Sequence, residues 1–282
     1  MKRRNAMLKS SYLALHGASV YYEWYPCTGR KKGTLCMIHG FFASTHSFSR
    51  LISYFRKDYD VLLCDLPGFG RSSKHEARAY SFQAYSTIVV ALLDSLRIQQ
   101  AVLVGHSMGG QVALYTALYH RERVEALILL ASSGYLKQVK SLYRLASYLP
   151  FVSHYLSLYI NKPPIELLLQ EAVYRKKTLT KAMIHAYKQP LLDTNFAKGL
   201  LQLTRQREGD LSPEQLQQIT QQTLVITGEN DPLIPVETSK RLVRDLPNSR
   251  FESLKKCGHL LAEEQPKQTA AKIKVFLQAL HS

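Results

Sequence analysis

Short apolar runs alternate with longer segments of helical spacing along most of the chain. The short runs are rich in aliphatic and β-branched residues and end at turn residues, so they predict buried strands over residues 34–38, 59–66, 101–104, 124–130, 223–227 and 250–254. Apolar residues three and four positions apart predict helices over residues 48–55, 82–96, 108–119, 236–246 and 265–280. This alternation predicts a parallel sheet with helices on both faces. A hairpin is predicted ahead of it, with residues 12–15 and 19–24 on either side of His16-Gly17-Ala18.

The strand–helix rhythm stops between Tyr135 and Asp210, where helical spacing continues and no strand is evident. The rhythm resumes at Thr223. The middle segment is therefore predicted to be a helical insertion, residues 135–210, in one α/β core formed by residues 1–134 and 211–282.

The sharpest motif is Gly105-His106-Ser107-Met108-Gly109, which follows a predicted strand and precedes a predicted helix. This is G-x-S-x-G in the strand–turn–helix context that the motif requires. The tight turn strains the serine backbone and points its hydroxyl away from the sheet, while the two glycines leave room for the turn. We therefore predict that Ser107 is a nucleophile.

A serine hydroxyl needs a base within reach, and chain position must select that base among ten histidines. His259 follows the last predicted strand, so it faces the same edge of a parallel sheet as Ser107. The orienting carboxylate should lie between the two in chain order, and Asp231, in the loop after the strand at 223–227, fits. Glu229 on the same loop is the alternative.

The oxyanion formed by serine attack needs two backbone N–H donors. One prediction is the N–H of Met108, at a helix N-terminus where N–H groups are free. The second is the N–H of Phe41, in the loop after the strand at 34–38, with Phe42 as the alternative. His39 and His106 are predicted to hold their loops by packing or hydrogen bonding, not to act as the base.

Five stretches share the pattern of one known family: residues 39–44, Asp65-Leu66-Pro67-Gly68-Phe69-Gly70-Arg71-Ser72, residues 105–110, residues 228–235 and Gly258-His259. Together they resemble the α/β-hydrolase superfamily, and within it the lid-bearing branch of esterases, lipases and C–C-bond hydrolases. The resemblance covers nearly the whole chain except residues 135–210, which would form the lid.

The resemblance implies a mechanism in which Ser107 attacks a carbonyl, His259 takes its proton, and water later releases the acyl group. It implies no metal and no cofactor. Serine at the elbow argues against the haloalkane dehalogenases and epoxide hydrolases, which use aspartate there.

The substrate is left open by these motifs. An apolar pocket favours a carboxylic ester of a medium-chain or aromatic acid, cleaved by a serine esterase or lipase. The alternatives are a monoacylglycerol lipase or lysophospholipase, a C–C-bond hydrolase, and a slow-turnover ligand sensor of the same fold. Eight aromatic residues of the predicted lid could line the acyl pocket or form the core beneath the lid: Tyr143, Tyr148, Phe151, Tyr155, Tyr159, Tyr174, Tyr187 and Phe196.

The chain is strongly basic, with 37 Lys and Arg against 21 Asp and Glu and a net charge of +16. A basic surface usually serves solubility. The predicted lid, however, has its own excess of Lys and Arg over Asp and Glu, which suggests weak association with an anionic membrane surface. Nucleic acid is not expected, because the chain has no helix-turn-helix, zinc or RNP-type signature.

Four cysteines show neither CxxC pairing nor zinc spacing, so they are predicted to be reduced thiols. The basic N-terminus, Met1-Lys2-Arg3-Arg4, is not followed by the apolar segment of a secretory signal. These features predict a cytoplasmic protein. The expected partner is a small-molecule ester, and the oligomeric state is left open.

Overall fold

A computed structural model of the chain describes residues 9–74, 80–160 and 164–281. Its central sheet has strands β1 (Lys9–Leu15), β2 (Ala18–Tyr25), β3 (Gly33–Ile38), β4 (Tyr59–Cys64), β5 (Ala101–His106), β6 (Val124–Leu130), β7 (Thr223–Gly228) and β8 (Ser249–Leu254). Their order across the sheet is β1-β2-β4-β3-β5-β6-β7-β8. β2 is antiparallel to β1 and β4, and the neighbours from β4 to β8 are parallel. The predicted mostly parallel sheet is confirmed.

Helices lie between and after these strands along the chain. They are α1 (Ile52–Phe55), α2 (Phe82–Ser95), α3 (Met108–Tyr119), α4 (Ser141–Ala146), α5 (Val152–Ile160), α6 (Ile165–Ala172), α7 (Lys181–Lys188), α8 (Phe196–Gln206), α9 (Pro213–Leu216), α10 (Val236–Asp245), α11 (Leu261–Glu264) and α12 (Pro266–Leu280). The cluster with α2, α3 and α10 lies on one face of the sheet, and the cluster with α1 and α12 lies on the other.

Strand β3 shows how one run of apolar residues serves both faces. Cys36 and Ile38 belong to the hydrophobic cluster that contains α2 and α3. Leu35 and Met37, whose side chains alternate with them, belong to the cluster that contains α1 and α12. Because both faces are covered, the strand is apolar from Leu35 to Ile38 instead of alternating with polar residues.

The segment before β4 differs from the sequence prediction. One helix over residues 48–55 is wrong: a 3₁₀ turn, Thr45–Phe48, comes first, and α1 starts only at Ile52. The helical spacing that suggested one helix is real, because Phe48, Leu51 and Phe55 are all buried. Two short turns bury the same residues, so the spacing does not distinguish them from one helix.

The segment between β6 and β7 is helical, and no strand occurs among its described residues. The two ends of the predicted insertion meet at the sheet edge. There the N–H of Asp210 donates to the carbonyl of Leu136 at 2.7 Å, and the N–H of Leu136 donates to Asp210 Oδ2 at 3.1 Å. Division of the chain at 135 and 210 stays a prediction.

Other sequence expectations concern the ends of the chain and the thiols. The basic residues at positions 1–4 lie outside the described residues. Over the described ranges, no helix combines the length and the hydropathy needed to cross a bilayer. Cys27, Cys36, Cys64 and Cys257 are free thiols.

Candidate active site

The turn between β5 and α3 holds Ser107 in a strained conformation. Ser107 has φ +51° and ψ −118°, which a residue with a Cβ rarely adopts. Its N–H donates to the carbonyl of Leu130 at 3.0 Å, and its carbonyl accepts the N–H of Gly110 at 2.9 Å and of Ser133 at 3.2 Å. These bonds to β6 and to the loop after β6 fix the turn, and the serine side chain remains partly exposed.

Glycines flank this turn because the backbone leaves no space for a side chain. A Cβ on Gly105 would overlap the backbone of Gly109 and Gly110, and a Cβ on Gly109 would overlap the carbonyl of Ile38. The close approach of α3 to β3 therefore requires glycine at these positions.

His259 and Asp231 meet at the same edge of the sheet. His259 Nδ1 lies 2.8 Å from Asp231 Oδ2, with both side chains almost fully buried. The other carboxylate oxygen of Asp231 accepts the N–H groups of Leu233 at 2.8 Å and of Ile234 at 3.0 Å. With Nδ1 donating to Asp231, the acceptor nitrogen of His259 is Nε2.

The rival carboxylate points elsewhere. Glu229 Oε1 accepts the hydroxyl of Ser253 at 2.8 Å, on the exposed side of the loop. Of the two acidic residues that the sequence left as alternatives, Asp231 is the one that contacts His259.

His106 links Ser107 to His259, because it precedes Ser107 in the chain and contacts His259 in space. The rings of His106 and His259 lie 4.8 Å apart, and His106 Nε2 donates to the carbonyl of His259 at 2.9 Å. The hydrogen bonds of the described residues do not include one between Ser107 and His259. In unliganded hydrolases this contact is often loose and tightens with substrate.

His106 and His39 are scaffold histidines. Burial, followed by the nearby ring of His259, lowers the pKa of His106 to about 3, so it stays neutral and serves as a donor. Burial also lowers the pKa of His39, whose Nε2 accepts the N–H of Leu66 at 3.0 Å while Nδ1 bonds the carbonyl of Gly40 at 2.7 Å. Each ring ties one loop of the site to another.

The loop after β3 runs directly against the serine turn. A Cβ on Gly40 would lie 3.1 Å from the Cβ of Ser107, so Phe41, the next residue, lies beside the serine. Phe42 has φ +58°, and the N–H of Ala43 closes the turn on the carbonyl of Gly40 at 3.3 Å. Met108 is the first residue of α3, so its N–H has no acceptor within the helix.

Four phenylalanines connect this loop to the insertion. Phe41 packs on Phe42 with ring centroids 4.2 Å apart and on Phe69 at 5.6 Å. Phe196, at the start of α8, stacks on Phe42 at 5.8 Å. Phe196 also lines a cavity of about 490 Å³ between α5 and α8. The buried ring of Phe196 therefore contacts both Phe42 and that cavity.

Sequence reasoning missed a clamp between His259 and the insertion. The N–H of His259 donates to the carbonyl of Ala172, the last residue of α6, at 2.8 Å. Glu264 accepts the N–H of Gly258 at 2.9 Å and that of Tyr174 at 2.8 Å. Two of these three hydrogen bonds join a backbone N–H to the Glu264 carboxylate, and the third joins two backbone groups. No sequence motif therefore predicts them.

A second contact joins the insertion to the core through buried groups. The hydroxyl of Tyr187, on α7, donates to Glu263 Oε2 at 2.9 Å and lies 3.2 Å from the hydroxyl of Ser47. Burial raises the pKa of Glu263 to about 8, and its other oxygen has no hydrogen-bond partner among the residues that the structure describes. Glu263 is therefore mostly protonated at neutral pH. In the described part of the chain, no group of three or more His, Cys, Asp or Glu side chains is arranged to hold a metal ion.

The fold and the site are those of a hydrolase, and comparison of the sequence with known protein families agrees. A profile of the alpha/beta hydrolase fold matches residues 33–266. The chain belongs to the α/β-hydrolase superfamily and is a hydrolase of that fold.

Relatives with different reactions resemble the chain along most of its length. It is 39% identical to "Uncharacterized hydrolase YugF" of Bacillus subtilis (strain 168), over 93% of this chain and 95% of that protein. It is 30% identical to a 2-hydroxy-6-oxononadienedioate/2-hydroxy-6-oxononatrienedioate hydrolase of Paraburkholderia phymatum, over 87% of both chains. It is 24% identical to the human monoacylglycerol lipase ABHD6, over 93% of this chain and 81% of that protein.

A solved esterase shares the fold. The thermophilic esterase from Thermogutta terrifontis superposes with a TM-score of 0.78, at 22% identity, over 97% of this chain and all of that one.

Proposed function

We propose that the protein is a serine hydrolase that cleaves carboxylic esters through an acyl-enzyme on Ser107. The observation that carries the proposal is the 2.8 Å hydrogen bond between His259 Nδ1 and Asp231 Oδ2, formed at the sheet edge where the strained Ser107 turn lies. This bond fixes the tautomer and leaves Nε2 of His259 to accept the serine proton.

In the proposed reaction, Ser107 Oγ attacks the ester carbonyl as its proton passes to His259. The N–H groups of Met108 and Phe41 stabilise the oxyanion, with Phe42 as the alternative to Phe41. The leaving alcohol takes the proton from His259, and an acyl-enzyme remains. His259 then deprotonates a water, which attacks the acyl group and releases the acid. Asp231 stabilises the imidazolium in both halves.

Apolar surroundings support an ester with an apolar acyl group. Phe41 and Phe42 belong to the loop beside Ser107, their rings pack on each other, and Phe196 stacks on Phe42. Such walls bind an alkyl or aryl chain and offer few hydrogen bonds for a polar acid. The monoacylglycerol lipase relative cleaves esters of this kind and supports the same choice.

A C–C-bond hydrolase is the second candidate, favoured by the relative at 30% identity, which acts on 2-hydroxy-6-oxo-dienedioates. A slow ligand sensor of the same fold is a third. A panel of p-nitrophenyl esters from acetate to laurate, set beside a 2-hydroxy-6-oxo-dienoate, separates them. We expect steady turnover of esters that disappears in Ser107→Ala. Faster turnover of the dienoate would favour C–C cleavage, and a stoichiometric burst without steady turnover would favour the sensor.

A further inference from the structure

The solvent-facing side of residues 141–160, called here the α4–α5 surface, is unusually apolar. It exposes a series of large side chains, each with more than three-fifths of its area in contact with solvent: Leu142, Tyr143, Leu145, Phe151, Tyr155 and Tyr159. Large apolar side chains exposed in a contiguous patch mark a binding surface. Of the eight aromatic residues that the sequence assigned to a pocket or a core, only Tyr187 and Phe196 are buried.

Helix α5 orients its exposed residues to one side. Phe151, just before the helix, and Tyr155, Leu158 and Tyr159 follow one another at the spacing of a single helical face, and all four are exposed. A helix on the surface of a globular protein normally turns this face inward. In α5 the apolar face is directed to solvent, so it is available to a partner.

The charged residues within the chain segment that carries this surface all have one sign. No Asp or Glu occurs from Leu136 to Ile165, whereas Lys137, Lys140 and Arg144 do. Among the described residues, none of these three basic side chains takes part in an ion pair. Unpaired cations beside exposed tyrosines and leucines form the composition of a surface that lies at a membrane interface.

Arg205 fixes part of this surface from beneath. Its guanidinium, on α8, stacks on the ring of Tyr148 at 4.2 Å and donates to the hydroxyl of Ser147 at 2.9 Å and to its carbonyl. The turn between α4 and α5 is therefore anchored to the insertion while its apolar residues face outward.

A second copy of the chain fits this surface poorly. A two-fold interface places a patch against itself. Lys140 and Arg144 of both copies would then lie in one interface, with no acidic residue within the patch to pair with them. Lipid headgroups supply the missing negative charge, and the acyl region accepts the apolar side chains.

We propose that the α4–α5 surface docks the protein on an anionic phospholipid bilayer. The leucines and Phe151 enter the boundary of the acyl chains, the tyrosine hydroxyls stay at headgroup level, and Lys137 and Lys140 lie against lipid phosphates. This inference goes beyond the proposed reaction, because it concerns binding and does not depend on the chemistry of Ser107.

Flotation of the full chain with vesicles tests the proposal. We expect binding to phosphatidylcholine vesicles that contain phosphatidylserine, weaker binding to phosphatidylcholine alone, and a decrease as salt is raised. Because each basic residue near an anionic surface contributes about fivefold, Lys137→Gln with Lys140→Gln should weaken binding on the order of tenfold or more. Lys255→Gln with Lys267→Gln removes the same charge elsewhere and should change binding little.

The apolar component has its own matched pair. Tyr155→Ser with Leu158→Ser should abolish flotation, whereas Tyr119→Ser with Val275→Ser, which are also exposed, should not. Circular dichroism confirms that each variant is folded.

Equal effects of the matched pairs, or the absence of flotation with anionic vesicles, would overturn the proposal. So would a concentration-dependent dimer, found by analytical ultracentrifugation, that Tyr155→Ser with Leu158→Ser dissociates. Ser107→Ala should bind vesicles like the unaltered protein, so loss of catalysis and loss of docking remain separate results.

Discussion

Asp231 and Glu229 are two residues apart on one loop, and only Asp231 directs its carboxylate to His259. The difference comes from the turn itself, because Asp231 is held by the N–H groups of Leu233 and Ile234. A buried carboxylate with three hydrogen bonds can orient an imidazole, whereas a carboxylate on the exposed side bonded to a serine cannot.

Replacing Asp231 should therefore impair catalysis without removing binding. Asp231→Asn should lower kcat on the order of 10⁴-fold, because the amide favours the wrong tautomer of His259. Glu229→Gln should leave kcat within about twofold. Steady-state kinetics with a p-nitrophenyl ester measures both. A large loss in Glu229→Gln with little in Asp231→Asn would assign the orienting role to Glu229.

At this scale the sequence identified candidates and left choices between neighbours. The motif around Ser107 and the position of His259 after a strand were sufficient to bring both residues to one edge of the sheet. The choice between Asp231 and Glu229 depends on which way a loop carboxylate points, and no sequence pattern records that. Phe41 and Phe42 differ by one residue in a turn, and their roles remain predictions.

Helices α7 and α11 are joined by the buried contact between Tyr187 and Glu263. The pKa of Glu263 rises from its ordinary 4.5 to about 8 because burial disfavours the carboxylate. Between these values the folded state holds the proton that the unfolded state has lost, so the free energy of unfolding falls as pH rises through this window.

Glu263→Gln should flatten that dependence. The amide mimics the protonated carboxyl, so the variant should match the unaltered protein near pH 5 and exceed it near pH 8 by up to a few kcal/mol. Urea unfolding at the two pH values measures this difference. Glu171→Gln, on the exposed side of α6, is the control and should keep the slope of the unaltered protein. An unchanged slope in Glu263→Gln would show that other groups cause the pH dependence.

Helix α8 places Phe196 between the Phe41–Phe42 pair and the cavity of about 490 Å³. Phe196→Ala should extend this cavity toward Phe42 and shift the ester preference toward longer acyl chains, measured as kcat/KM across the ester series. Loss of a buried phenylalanine should also destabilise the fold by about 3–5 kcal/mol. Phe82→Ala removes an equally buried ring at the start of α2 and should lose stability with no change in chain-length preference. If Phe196→Ala and Phe82→Ala show the same chain-length preference, Phe196 has no role in selecting the acyl chain.

Most elements could be predicted because each sheet strand, and each helix packed on the sheet, has an apolar spacing that fits one kind of secondary structure. The sequence prediction was wrong at residues 48–55, where Phe48, Leu51 and Phe55 fit either one helix or two short turns. It also assumed that aromatic residues at helical spacing are covered. Periodicity shows which residues share a face, but it does not show whether that face turns inward.

Burial in the whole molecule separates the thiols. Cys36 and Cys64 lie on the adjacent strands β3 and β4, and Cys257 lies in the loop after β8. All three are buried, while Cys27 is only half-buried. Burial raises the pKa of Cys257 above its ordinary value, which further suppresses its thiolate.

A thiol reagent should therefore report the integrity of the sheet. In the native protein it should modify one thiol per chain, and Cys27→Ser should reduce that number to none. Four thiols should react after unfolding in guanidinium chloride, counted by absorbance or mass spectrometry. Cys257→Ser should not change the native number. Rapid native reaction of a second thiol would mean that the central strands open readily.

The bond from the N–H of His259 to the carbonyl of Ala172 restricts how a substrate can be admitted. If the end of α6 swung outward as a hinged cover, the histidine loop would lose a backbone partner at the moment when its alignment is needed. The end of α6 is therefore expected to stay in contact with the histidine loop during turnover. We therefore expect substrate to enter without displacement of α6, so that entry leaves the alignment of the base undisturbed.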